Sequence, residues 1–132
     1  MSHDTSRATL AQSVMEGVAF AMRDCLAALH DAGTRLKSVD AIGGGARSRL
    51  WLSIIANVLD LPVNRLADSE VSGAMGGALL GRMAATGEPA TVVCKTPKRI
   101  ETLEPRTSTR DAYAESYARY RKLYPAIKEA TR

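Results

Sequence analysis

The hydrophobic positions divide the chain into alternating helices and strands. Leu10, Val14, Val18, Ala21, Met22, Cys25 and Leu29 recur at three- and four-residue steps over residues 6–32, which is one face of a long helix. Gly33 follows where a left-handed cap is wanted, and Thr9 with Gln12 three residues on has the form of a capping box. Residues 37–42 are a short apolar segment ending in three glycines and predict a strand. A second helix is predicted from Ser48 to Leu59, with Ser48 as its N-cap and Leu50, Trp51, Ile54, Ile55, Val58 and Leu59 as its stripe. Residues 61–65 predict another short strand, with Pro62 at its first position, where a missing N–H is tolerated.

A third helix is expected over 72–85, stopped by Gly87 and Pro89. Gly73, Gly76 and Gly77 lie inside it, and each glycine costs about 1 kcal/mol in a helix interior. Close approach of a sheet, a helix or a nucleotide would account for them, as would a loosely wound helix start. Residues 88–110 are the least regular; Thr91, Val92, Val93 and Cys94 suggest a strand, although four residues are ambiguous. The last helix starts near Ser108 and carries Tyr113, Tyr117, Tyr120, Tyr124 and Ile127, a stripe suited to packing with hydroxyls at the rim. Strands alternating with helices argue for a parallel sheet. Two parallel strands would be unprotected edges, so the chain reads as the second half of a larger α/β domain.

Length and charge narrow the picture. A chain of 132 residues fits one domain and no more. No apolar run approaches the roughly 20 residues of a membrane span, and residues 1–10 have no secretory h-region. Cys25 and Cys94 are too few for a disulfide framework or a zinc cluster, and free thiols in a reducing cytoplasm are expected. The net charge of +4 is uneven: residues 1–88 hold 8 Lys and Arg against 9 Asp and Glu, and residues 89–132 hold 10 against 5. A basic tail can attract nucleic acid or a membrane surface, but without a dense basic block it reads as a solvated helix face.

The most informative segment is Ile42-Gly43-Gly44-Gly45-Ala46-Arg47-Ser48-Arg49-Leu50-Trp51, which joins a strand end directly to a helix start. Glycines there let a ligand approach the backbone, and the helix N-terminus offers N–H groups and partial positive charge to a phosphate or ribose. A tight strand-to-helix turn alone is the plainer explanation. The segment is not a P-loop, because the lysine of that motif is missing. It is a poor dinucleotide fingerprint as well: Ser48 stands at the third glycine, and only Arg65 could mimic a 2′-phosphate contact.

Gly43 to Ser48 followed by Trp51 resembles the adenosine motif of the FGGY carbohydrate kinases, relatives of actin. The resemblance runs both ways along the chain. Residues 14–20 look like the helix before that motif, and residues 74–80 like the small-residue helix after it. Residues 113–125 look like the C-terminal helix of the xylulokinase branch.

The resemblance implies an α/β fold: the C-terminal part of an actin-like, ribonuclease H-like ATPase domain, helix-rich with a small parallel sheet. Residues 1–132 would be a fragment of the second, adenosine-binding domain. Gly43, Gly44, Gly45, Ala46, Arg47, Ser48 and Arg49 would hold the nucleotide, with Gly44, Gly45 and Ala46 against ribose and α-phosphate and Arg49 toward the adenine edge. ATP would be the cofactor, with Mg²⁺ held mainly by parts of a kinase not matched here. The parent would phosphorylate D-xylulose in the cytoplasm. The catalytic base, sugar pocket and phosphate loop have no counterpart here. Asp40, Asp60, Asp68 and Glu70 are available carboxylates that no motif makes a base. The chain alone is therefore expected to be inactive. It is expected to self-associate or join the remainder of a kinase, with no nucleic-acid or membrane partner. Two alternatives stand beside this reading: a non-enzymatic interaction module derived from a kinase half-domain, and a dinucleotide-binding domain.

Overall fold

The computed structural model describes residues 5–67 and 72–131, with Ser72 described for its backbone only. In order it contains α1 (Arg7–Asp31), β1 (Val39–Ala41), a 3₁₀ turn (Gly44–Arg47), α2 (Arg49–Leu59) and β2 (Val63–Leu66). After these come α3 (Ser72–Thr86), α4 (Ala90–Val93), β3 (Arg99–Leu103), a second 3₁₀ turn (Thr107–Thr109) and α5 (Arg110–Ala130).

The helix ends follow from local chemistry. Ser6 caps α1 through its hydroxyl, which accepts from the Thr9 N–H at 3.1 Å, so the predicted Thr9 box is replaced by a cap three residues earlier. At the other end Gly33, with φ of 89°, turns the chain. Thr34 N–H then donates to Leu29 O and Gly33 N–H to His30 O, the paired bonds of a Schellman motif. Ser48 caps α2 as expected, accepting from Trp51 N–H at 3.2 Å. That helix ends on Asp60 in the left-handed region, φ 54°, a conformation aspartate tolerates better than most residues. The Asp60 carboxylate receives two bonds from the Arg110 guanidinium, at 2.8 and 3.0 Å, tying the end of α2 to the start of α5. No side chain caps α5, which begins at Arg110 as a continuation of the 3₁₀ turn, close to the start expected near Ser108.

The sheet order is β1-β2-β3. β1 and β2 are parallel, with Val39 opposite Val63 and Ala41 opposite Arg65, as the strand–helix alternation predicts. β3 is antiparallel to β2, so the sheet is mixed, and the outer edges of β1 and β3 both lack a strand neighbour among the described residues. The expected strand at 91–94 is instead one turn of helix, α4, in which only Val93 is buried. Pro89 sits at its N-cap position with an extended φ of −72°, where it needs no N–H bond.

α2 is the centre of the molecule. Its Ile54 and Val58 pack on Ala19 and Phe20 of α1 and on the rings of Tyr113, Tyr117 and Tyr120 of α5. Its Leu52, Ile55 and Ala56 pack on Val39, Val63 and Leu103 of the sheet. A helix buried on opposite faces reads as apolar nearly all round, as Leu50 to Leu59 does. Asn57 is the buried polar exception; its Oδ1 accepts from the Arg106 N–H at 2.8 Å and anchors the segment leading into α5.

The long apolar stripe of α1 is not the side it buries. Ala19, Phe20 and Leu26 are buried, while Leu10, Val14, Val18, Met22 and Leu29 remain exposed. α3 has no fully buried residue among those described, and a Cβ on Gly73, Gly76 or Gly77 would meet nothing within 4 Å, so no part of the described chain accounts for these glycines.

The tyrosine stripe behaves as the pattern predicts over its first three members. Tyr113 donates to Glu16 at 3.0 Å and Tyr117 to Asp24, while their rings surround Phe20 with centroids 6.4 and 6.0 Å away. Arg23 lies over the Tyr117 ring, 4.5 Å from its centroid. Tyr124 and Ile127 face outward, beyond the reach of α1's core side. Burial, then the bond to Glu16, push the Tyr113 phenol up to about 12. A folded value raised above the unfolded one, near 10, adds stability that is complete below pH ~10 and is lost as pH rises toward 12. Urea midpoints should therefore fall between pH 10 and 12, and Tyr113→Phe should flatten that fall. An unchanged alkaline slope in Tyr113→Phe would show that this phenol does not couple to folding.

Candidate functional site

The glycine turn stands at the carboxyl end of the parallel strands, the end at which open α/β sheets receive ligands. Gly43 leaves β1 with φ 84°, a left-handed conformation that a side chain at this position would strain. Its carbonyl accepts from Ala46 N–H at 3.0 Å, and the Gly45 carbonyl accepts from Ser48 N–H at 3.1 Å. These two bonds wind residues 44–47 into a 3₁₀ turn that runs straight into α2. The seven predicted residues, Gly43 to Arg49, are thus one continuous turn.

They do not play equal parts in it. A Cβ on Gly44 would meet nothing within 4 Å, so its exposed backbone is open to an incoming group. Gly45 has a neighbour of its own: a Cβ there would stand 3.2 Å from Trp51 Cδ1 and 3.3 Å from Nε1. The glycine at 45 therefore makes room for the indole. Ala46 is buried, 2% exposed, and plugs the turn into the core. Ser48 uses its oxygen as the α2 cap. Arg47 projects from an exposed position.

Arg49 points toward the sheet, where its guanidinium meets Glu101 of β3 at 2.6 Å. Arg65 of β2 approaches the same carboxylate at 3.3 Å, within ion-pair range. Its buried Nε is not aligned to donate a hydrogen bond to any neighbour. Arg65 is thus spoken for by a carboxylate and is not presented to a 2′-phosphate. Glu101 is the residue that sequence reasoning misses. Its strand was hidden because β3 holds an irregularity: Arg65 faces Glu101 but Leu66 faces Arg99, leaving Ile100 as an extra residue. Ile100 and Leu103 consequently fall out of two-residue alternation, and the segment does not look like a strand.

On the other face of the sheet, Asn64 is buried and links three neighbours. Its amide donates to Asp40 at 2.8 Å and to Ser38 at 3.2 Å, and its oxygen accepts from Thr102 at 2.9 Å. Asp40 and Asp60 are therefore engaged in structural bonds, and Asp68 and Glu70 lie outside the described residues. Glu101, the carboxylate that pairs with Arg49 of the turn, is held by two arginines. The donor set around the turn does not fit a Mg²⁺ site, which wants carboxylate oxygens free to reach the ion. Arginines of the basic tail are also partnered: Arg110 with Asp60, Arg119 with Glu115 and Arg121 with Asp24. Cys25 and Cys94 are free thiols. Among the described residues, no helix is long and apolar enough to cross a membrane.

Comparison with known proteins places this architecture. Residues 1–85 match the C-terminal domain of the FGGY family of carbohydrate kinases, and the chain belongs to that family. It is similar to the crystal structure of a xylulose kinase from Brucella ovis, with 43% identity and a TM-score of 0.85 over 98% of this chain and 27% of that one. Among curated proteins it is 29% identical to a xylulose kinase of Staphylococcus epidermidis over 99% of this chain and 27% of the relative. It is 30% identical to the xylulose kinase of Escherichia coli K12 over 96% of this chain and 26% of the relative. The chain thus spans about a quarter of the length of the kinases it matches. The fold is that of the actin-like sugar kinases, which removes the dinucleotide-binding alternative.

The Gly45–Trp51 contact gives a prediction whose sign depends on the background. With Trp51 wedged between two core clusters, Gly45→Ala should destabilise by about 1 kcal/mol, as overpacking does. In a Trp51→Ala background the steric conflict is gone, and the same substitution should stabilise by roughly 0.4–1 kcal/mol through the unfolded chain. Urea unfolding of the four proteins closes this double-mutant cycle. Equal effects of Gly45→Ala in both backgrounds would refute the contact.

Proposed function

We propose that the chain supplies the adenosine side of the ATP site of a xylulose kinase-like sugar kinase, whose full-length parent transfers the γ-phosphate of ATP to D-xylulose in the cytoplasm. On this reading residues 1–132 form the distal part of the second kinase domain. The observation that carries the proposal is Gly44: exposed backbone in open space, at the carboxyl end of parallel strands, one turn before the N-terminus of α2. Ribose and α-phosphate run against Gly44, with Gly43 setting the turn. Gly45, Ala46 and Ser48 shape the turn from within. Arg49 stays beside the adenine edge, held by Glu101.

Among the described residues no motif of a γ-phosphate loop, a sugar pocket or a catalytic base is recognisable. Phosphoryl transfer depends on holding the sugar hydroxyl, γ-phosphate and metal in line, with electrostatic stabilisation of the transferring group. Mg²⁺ belongs with those missing parts, since the carboxylates around the turn are already engaged. An adenosine cradle grips a portion of ATP that does not change in the transition state, and such uniform binding does not raise the chemical rate. The isolated chain therefore binds nucleotide weakly and does not phosphorylate D-xylulose.

Calorimetric titration with ATP and ADP tests the site. Gly44→Val should remove the binding while leaving the thermal melt unchanged, because the added side chain meets no protein atom within 4 Å of its Cβ. Gly45→Val is a poor probe, since it also collides with Trp51. Equal affinity in wild type and Gly44→Val would refute the assignment. A coupled ADP-release assay with chain, ATP, Mg²⁺ and D-xylulose should show no turnover; turnover sensitive to Gly44→Val would place catalytic residues within this chain.

A further inference from the structure

Strand register sets Ala41, Arg65 and Glu101 in one row across the sheet, on the face that packs against α2 and two residues before Gly43. Arg49, in the first turn of α2, reaches this row. Its guanidinium meets Glu101 Oε1 at 2.6 Å, while Arg65 Nε stands 3.3 Å from Oε2. Each carboxylate oxygen therefore has its own arginine, and Glu101 is steadied from both. The Arg49 side chain is 74% exposed and that of Glu101 21%, so an incoming group can reach both. A carboxylate offers about four lone-pair sites, so two ion pairs leave it acceptor capacity to spare. An arginine by itself only donates. Guanine, with N7 and O6 side by side as acceptors, is the base such a donor pairs with best. Adenine sets an N7 acceptor beside a 6-amino donor and needs a donor and an acceptor together. A guanidinium paired with a carboxylate is that combination.

We propose that Glu101 is the residue that selects the base at this site. Its carboxylate accepts from the 6-amino group of adenine while Arg49 donates to a ring nitrogen, and the same carboxylate repels the 6-oxo group of guanine or hypoxanthine. The proposal rests on the adenosine reading above and adds to it the group that discriminates among purines. Arg49 supplies affinity that the purines share. Arg65, paired with the other oxygen, keeps the carboxylate in place when a base arrives. Without Glu101 the two arginines would form a donor-only edge, and the preference would turn toward guanine.

The test is calorimetric titration of the chain with ADP, GDP and inosine diphosphate, read as ratios of Kd. The wild type should bind ADP at least about tenfold more tightly than either of the others, the discrimination typical of one good two-bond base contact. Inosine diphosphate lacks the 2-amino group, so its ranking with GDP places the selection at position 6. Glu101→Ala should weaken ADP and strengthen GDP, bringing the ratio to about one or reversing it. Glu101→Gln keeps the shape of the side chain but offers one acceptor oxygen to two arginines, leaving none for the base, so it should lose the ratio as well and serves if the alanine variant does not fold. Arg49→Met should weaken all three nucleotides by a similar factor. Glu101 variants that weaken ADP and GDP equally would show a purely structural carboxylate and overturn the proposal, as would inosine diphosphate binding like ADP. ADP binding that Gly44→Val removes and Glu101→Ala leaves unchanged would overturn this proposal while sparing the adenosine site. A wild type that binds no ADP would overturn the adenosine site and this proposal with it.

Discussion

Everything else in the molecule depends on α2 being buried from two sides at once. One face holds the α1–α5 pair and the other holds the sheet, and Trp51 at its first turn touches both clusters. Such a helix cannot shift along its axis without unpacking both layers, because close-packed side chains interlock. The glycine turn is fixed by the same constraint. Ser48 caps the helix, Ala46 is sunk into the core and Gly45 lies against the indole, so the turn inherits its position from the helix it opens. Only Gly44 is left without a structural duty. A backbone whose neighbours are fully committed to packing is well suited to presenting one open peptide segment in a constant place.

Much of this order was legible in the sequence. The spacing of Leu50 to Leu59, the Ser48 cap and the glycine run located β1, the turn and α2 with little error, since each is set by local chemistry. The α5 tyrosines were equally plain, their hydroxyls reaching Glu16 and Asp24 at the edge of the core. What periodicity could not supply was direction. The α1 stripe from Leu10 to Leu29 is real, yet the helix turns Ala19, Phe20 and Leu26 inward, because the ring of Phe20 fits among three tyrosines. An apolar face in a sequence says that something covers it, not that the same chain does.

The other misreadings have local causes. Thr91 to Cys94 is β-branched and short, so propensity pointed to a strand; Pro89 and the following turn decided for helix. The reverse happened at Arg99–Leu103, where an extra residue broke the alternation and concealed both β3 and Glu101. The candidate site was therefore half visible. Its backbone could be read from glycines at a strand end, but not its side-chain electrostatics, because the carboxylate that holds Arg49 and Arg65 comes from a distant strand. The division of labour among the glycines also needed coordinates, since Gly44 and Gly45 are identical on paper and differ only in what stands beside them.

The bonds between α1 and α5 join residues 97 and 93 positions apart in the chain. Contacts of such long sequence separation form late, because the loop that closes them must first be ordered. During synthesis at about 5–20 residues per second, Phe20 waits roughly 5–20 s before its tyrosine partners have been made. For that interval α1 is a helix with an apolar stripe on one side and an unfilled aromatic socket on the other. The α2–sheet unit can close first, since β1, α2 and β2 are neighbours in sequence. The α5 tyrosines then act as a latch that shuts the inner side of α1, and the chain's period of exposure to misassociation is set by the time taken to synthesise everything between Phe20 and that last helix.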